Sequence, residues 1–270
     1  MMKLLNPEVD TYIFGGLGSD RTCMDDVTTK LSPEVSHVRG ITYSEASKKG
    51  YELWEAVDQQ NVVPFSGSGP LAAKAIQELP FRPDTLTFVS PPNVITRWSA
   101  MVGFARAAKA RADIKSTDEI TNSTVHMISR FVAETGMHPA EYFKLIHNAR
   151  RFNQLASAVA LHDMGIRQVN LVVPRNDEMF SSYELPMTSD NNDTDGVRYI
   201  VVAPGHSRFS SDPLGVLHEA ERAPFAMVTP DILGVAVPER LSVPPTISET
   251  AKFALRTLHH MAKSHTPHTA

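Results

Sequence analysis

Short apolar runs, each stopped by glycine, proline or serine and each followed by a longer polar or amphipathic stretch, set the strongest limit on what this chain can fold into. Thr11-Tyr12-Ile13-Phe14 runs into Gly15-Gly16-Leu17-Gly18. Asn61-Val62-Val63-Pro64-Phe65 runs into Ser66-Gly67-Ser68-Gly69. Thr85-Leu86-Thr87-Phe88-Val89 ends at Ser90-Pro91-Pro92, and Val169 to Val173 and Val197 to Val202 end at Pro174 and Pro204. Runs this short and this continuous are strands buried on both faces, and turn residues mark their ends. Between them the pattern predicts helices over about Arg21 to Leu31, Ser44 to Val57, Leu71 to Ile76 and Asp212 to Arg222, with Ser19 or Asp20 as the cap of the first. Val35 to Thr42 reads as a further strand, and Glu249 to Lys263 as a closing helix. Strands alternating with helices give a mostly parallel sheet covered by helices on both faces, the α/β class.

One block breaks the alternation. From about Asn93 to Gly165 the periodicity is helical throughout, and such a block does not fit between neighbouring strands. It is expected to form an inserted helical cap over residues 93–165, with residues 1–92 and 166–270 as the core. Ligands of open α/β sheets bind beyond the carboxyl ends of the strands. That directs attention to Gly15 to Ser19, Ser66 to Gly69, Ser90 to Asn93, Pro174 to Asp177 and Pro204 to Arg208.

Three of those strand ends carry the parts of a nucleophilic device. Ser66 lies on a strand-to-helix turn whose neighbours Gly67, Ser68 and Gly69 are small, as a strained turn requires. Asp177 follows one strand and His206 the next. A serine hydroxyl needs a base to take its proton, and the base needs a third group to fix its tautomer. Ser68 is an alternative nucleophile and Glu178 an alternative acid.

With these residues in hand, the sequence resembles the alpha/beta-hydrolase family. Pro64 to Gly69 looks like the family's nucleophile elbow, with Ser66 as nucleophile. Gly15 to Ser19 looks like the oxyanion loop after the family's third strand. Asn176-Asp177 matches the acid position after the seventh strand. Pro204-Gly205-His206, followed by Asp212-Pro213, matches the histidine loop and the start of the last-but-one helix. The order Ser66, Asp177, His206 is the family's order. The resemblance implies an alpha/beta-hydrolase-like fold, a Ser-His-Asp triad, and an oxyanion hole made by the backbone amides of Leu17 and Gly67. It further implies a serine hydrolase acting on a small ester or related carbonyl substrate; a non-catalytic ligand-binding protein of the same fold is the alternative. Among the departures from the pattern, Pro64 replaces the first glycine of GxSxG, and Gly15 stands where the family often has histidine.

Composition narrows the partners. The 26 Lys and Arg against 30 Asp and Glu give a formal charge of -4, without the basic excess of a nucleic-acid binder. A single cysteine, Cys23, allows no internal disulfide and no paired-cysteine metal site, and it is expected to be a buried inert thiol. No apolar run reaches the length of a membrane span and no secretion signal is evident, so a cytoplasmic protein is expected. Neither GxGxxG nor GxxxxGK[ST] occurs, so no nucleotide cofactor is expected. The acidic loop Asn191 to Gly196 lacks the glutamate that a calcium loop needs at its twelfth position, which is Val202. The expected partner is a small-molecule substrate; Trp98, Met101, Phe104, Met127, Phe131, Met137, Tyr142 and Phe143 supply apolar lining for the expected cap.

Overall fold

The computed structural model describes residues 4–16, 19–35, 37–48, 51–93, 152–175, 177, 180, 182–187, 195–206 and 208–235. The expected cap residues 94–151, its eight apolar lining residues, Leu17, Asn176, Glu178 and the helix expected over Glu249 to Lys263 lie outside them.

The described elements run β1 (Thr11–Phe14), α1 (Arg21–Leu31), β2 (Val38–Ile41), α2 (Tyr43–Lys48), α3 (Tyr51–Glu55), β3 (Asn61–Pro64), α4 (Ser68–Glu78), β4 (Thr85–Val89), α5 (Gln154–Asp163), β5 (Gln168–Pro174), β6 (Gly196–Val202), α6 (Arg208–Ser211), α7 (Pro213–Arg222), β7 (Phe225–Met227) and α8 (Pro230–Val235). The strands form one sheet in the order β2-β1-β3-β4-β5-β6-β7. All neighbours are parallel except β7, which is antiparallel to β6. The order reverses at β1, with β2 on one side and β3 on the other. Such a switch point opens a crevice at the strand ends.

Alternation along each strand divides the core into two layers. Tyr12, Phe14, Val62, Leu86, Phe88, Val169 and Leu171 face α3, α4 and α5, where Trp54, Ala72, Ile76, Leu155 and Ala158 are buried against them. Phe14 and Trp54 stack with ring centroids 4.8 Å apart. On the other face Ile13, Val63, Val172 and Ile200 meet α1, α6 and α7 through Met24, Leu31, Phe209, Val216 and Leu217. Helix α5 lies within the stretch assigned to the cap, yet Leu155, Ala158 and Leu161 belong to the first of these layers. An apolar helix face set between β4 and β5 in the chain is needed to cover the sheet there, so this part of the block belongs with the core.

Local chemistry sets the ends of the helices. Asp20, not Ser19, caps α1, accepting the Cys23 N–H at 2.7 Å. Asp212 caps α7 by accepting the Gly215 N–H at 3.0 Å, with Pro213 in the first turn. Cys23 is half-buried on α1 rather than fully enclosed, because it falls outside the Met24, Val27, Leu31 stripe that α1 presents to the sheet. The helix expected from Ser44 to Val57 is two helices, α2 and α3. Among the described residues, no helix is long and apolar enough to cross a membrane, and no group of three or more His, Cys, Asp or Glu could hold a metal ion.

Candidate active site

The last residue of β3 is Pro64, which pairs with Phe14 of β1. A proline at the very end of a strand costs little of the ladder, and Phe65 resumes the pairing by donating its N–H to the Phe14 carbonyl at 2.9 Å. The chain then turns sharply. Ser66 has φ 51°, the left-handed region that an L-residue occupies only under constraint. Three backbone hydrogen bonds supply that constraint: Ser66 N–H to Val89 O at 2.9 Å, Ser68 N–H to Phe65 O at 3.2 Å, and Gly69 N–H to Ser66 O at 3.0 Å. Helix α4 starts directly afterwards, so the Ser66 side chain is held at the carboxyl edge of the sheet.

The histidine arrives from β6. Gly205, at φ 120°, turns the chain, and the Arg208 N–H closes the turn on the Gly205 carbonyl at 3.1 Å. This aims His206 at Ser66: Nε2 lies 2.8 Å from Oγ across 140 residues of sequence. Nδ1 of the same ring lies 2.9 Å from Asp177 Oδ2. The other carboxylate oxygen, Oδ1, accepts the Phe180 N–H at 3.0 Å. A carboxylate only accepts, so the Asp177 contact places the ring proton on Nδ1 and leaves the Nε2 lone pair facing the Ser66 hydroxyl. All three residues are buried, at 7%, 4% and 2% exposure for Ser66, His206 and Asp177. Two phenyl rings contact the imidazole, Phe180 edge-to-face at 5.3 Å and Phe65 tilted at 5.8 Å.

Ser68 has no part in this line. Its hydroxyl sits beneath the elbow and donates to the carbonyls of Phe14 and Phe65, both at 2.9 Å. Of the two oxyanion donors expected, Leu17 lies outside the described residues. Gly67 directly follows Ser66, and its N–H has no hydrogen-bond partner among the described residues. Gly16, to which the sequence reading gave no role of its own, packs against the elbow: a Cβ there would come within 3.0 Å of the Ser66 Cβ and 3.2 Å of the Phe65 carbonyl oxygen. Only glycine lets the loop after β1 pass so close. Phe180 was missed as well, since a phenylalanine three residues after an acid carries no motif.

Neither the family models nor the curated proteins contain a match to this chain. Solved structures do match. A hydrolase from Oleispira antarctica is 9% identical, with 77% of this chain and 88% of that one covered at a TM-score of 0.47. The N-formylmaleamic acid deformylase of Pseudomonas putida is 12% identical, with coverages of 78% and 91% and a TM-score of 0.46. An alpha/beta hydrolase from a Medee basin deep-sea metagenome library is 12% identical, with coverages of 79% and 88% and a TM-score of 0.43. The decisive features are the chain's own. If the loop after β1 follows the third strand of the resemblance, β5 is the seventh, and Asp177 follows it; the serine turn, the acid and the histidine then succeed one another at strand ends of a sheet whose order reverses at β1. By that topology the chain has the alpha/beta-hydrolase fold.

Proposed function

We propose that the protein is a serine hydrolase that transfers an acyl group from a small, largely apolar ester or related carbonyl compound to water. The observation that carries this reading is the unbroken line from Ser66 Oγ through the His206 ring to the Asp177 carboxylate, at 2.8 and 2.9 Å. It begins on a residue whose φ is that of a nucleophile held on a sharp turn. As Ser66 Oγ bonds to the carbonyl carbon, its proton passes to His206 Nε2. The imidazolium so formed faces Asp177, which stabilises it and keeps the ring oriented. The tetrahedral oxygen bears the negative charge, and the Gly67 N–H, with that of Leu17, is the proposed donor pair for it. Collapse breaks the bond to the leaving group, which departs with the proton from Nε2. Water then attacks the acyl-enzyme, giving its proton to Nε2, and the acid leaves as Ser66 recovers its own.

The apolar preference rests on Phe65 and Phe180, which contact the imidazole. Two tests bear on the reading. A fluorophosphonate probe is expected to label Ser66 in the wild-type protein and nothing in Ser66→Ala. Ester turnover is expected to fall by at least about a thousandfold in that variant, the scale on which removal of a triad nucleophile acts. Undiminished turnover in Ser66→Ala overturns the assignment. A wild-type protein that binds ligands but resists the probe supports the non-catalytic alternative.

A further inference from the structure

The His206 loop is gripped at both ends by one carboxylate. Glu219 lies on α7, later in the chain than His206 but next to its loop in space. Its Oε1 accepts the backbone N–H of Ala203, the first residue after β6. Its Oε2 accepts from the Arg208 guanidinium, two residues beyond His206. Arg208 also faces Asp212, the cap of α7, at 3.7 Å. Helix α7 is a firm base for this grip, since Val216, Leu217 and Ala220 are all within the core. Both carboxylate oxygens are therefore committed, one to the start of the loop and one to its end. Among the described residues between them, Gly205 adopts φ 120° and imposes no side-chain constraint of its own.

We infer that Glu219, through Arg208 and the Ala203 amide, is the positioning residue that holds His206 in line between Asp177 and Ser66. The inference rests on the proposed hydrolase reading for its kinetic consequence but not for its structural one. A loop with a glycine hinge has many conformations, and the histidine must lie within hydrogen-bond reach of two groups at once. Without the carboxylate, the released Ala203 N–H would turn to water and the Arg208 guanidinium would keep only Asp212, which does not reach the start of the loop, so the loop would sample positions in which Nε2 is displaced from Oγ. A misplacement on the order of 1 Å costs about a hundredfold in rate.

The experiment uses the full chain with Glu219→Ala, Glu219→Gln and Arg208→Met, and with Glu34→Gln as control. Glu34, an exposed residue after α1, pairs with His218 of α7 at 2.6 Å and, among the described residues, bonds to neither Ala203 nor Arg208. Ester kinetics are expected to show kcat lowered by about 10- to 100-fold in Glu219→Ala with KM within about twofold of wild type. Glu219→Gln, which keeps one acceptor oxygen, is expected to recover part of the loss, and the Glu34→Gln control to keep wild-type kcat. In parallel, the downfield proton resonance of His206 Nδ1–H, sheltered by Asp177, is expected to exchange faster with water in Glu219→Ala and Arg208→Met, and not in Glu34→Gln. Should Glu219→Ala fail to fold, Glu219→Gln and Arg208→Met give the same readouts. Wild-type kcat and a wild-type Nδ1–H resonance in the folded variants overturn the inference. If the fluorophosphonate leaves Ser66 of the wild type unlabelled while the resonance still depends on Glu219, the hydrolase reading fails and the positioning role stands.

Discussion

Ser66, the proposed nucleophile, holds a conformation that its own side chain disfavours. At φ 51° its Cβ crowds the backbone, a cost of roughly 1–2 kcal/mol in the left-handed region. The bonds from Ser66 N–H to the Val89 carbonyl, from Ser68 N–H to the Phe65 carbonyl and from Gly69 N–H to the Ser66 carbonyl hold it there. Comparing two variants isolates this cost, because Ser66→Ala and Ser66→Gly both lose the hydroxyl but only glycine is free of the Cβ. Ser66→Gly is expected to be more stable than Ser66→Ala by about 1 kcal/mol, or roughly 2–4 °C in Tm for a domain of this size. Thermal melts followed by circular dichroism decide the point; coincident midpoints would show that the turn stores no strain. Much of the candidate site is legible at this scale in the sequence, because Ser66, Asp177 and His206 each sit just past a recognisable apolar run. Two things are not. The choice between Ser66 and Ser68 depends on which hydroxyl the backbone sequesters, and Ser68 donates to Phe14 and Phe65 only once β1 and β3 are paired. The contacts of Phe180 and Gly16 depend on segments brought together from far along the chain.

At the scale of elements, the departure from GxSxG at Pro64 has a concrete explanation. The position is the last of β3, buried, and paired with Phe14, and a ring there restricts the approach to the turn rather than distorting it. Placing the glycine of GxSxG at this position is therefore expected to weaken the protein without helping it. Pro64→Gly loses the buried ring and frees the unfolded chain, and is expected to cost about 1–3 kcal/mol with no rise in kcat. Urea unfolding together with ester kinetics checks both halves, and a variant that turns over faster at unchanged stability would count against this account of the strand end. The strands were the most legible elements, since burial on both faces leaves a near-continuous apolar run: β4 has the expected bounds, and β3, β5 and β6 differ from them by only a residue or so at an end. Strand β7 went unread because Phe225–Met227 is only 3 residues long and gains its identity from pairing with β6. Helix α5 was read as helix but assigned to the cap, because an apolar helix has the same periodicity whether it covers a sheet or a pocket.

Across the whole molecule, the two ends of the sheet do opposite work. The carboxyl ends of the strands hold Ser66, Asp177 and His206. The opposite end is closed by a row of polar residues, Thr11, Asn61, Thr85 and Gln168, which begin β1, β3, β4 and β5 and stand in register. All four are 0–2% exposed. Buried polar groups persist only when bonded, and these are. Asn61 exchanges two bonds with the backbone of Asn6, at 2.8 and 2.7 Å, and also meets Thr11 at 3.0 Å and Thr85 at 2.6 Å. One layer in, Asn170 meets Thr87 at 2.9 Å, and Thr87 meets the Leu4 carbonyl at 3.2 Å. The N-terminal stretch is thereby sewn across three strands, with Leu4 and Leu5 buried in the layer shared with α1 and α7. In the sequence these residues look only like polar strand starts; Asn61 finds Asn6 and Thr11 across 55 and 50 positions. The geometry assigns the bonding to the Asn61 side chain and to the Asn6 main chain, so the two asparagines are expected to differ sharply. Asn61→Ala strands the Asn6 N–H and carbonyl and the Thr85 hydroxyl, and is expected to cost about 2–3 kcal/mol. Asn6→Ala leaves both main-chain bonds in place and is expected to cost less than about 1 kcal/mol. Equal urea midpoints for the two variants would show that the row fills space without holding the N-terminal stretch to the sheet.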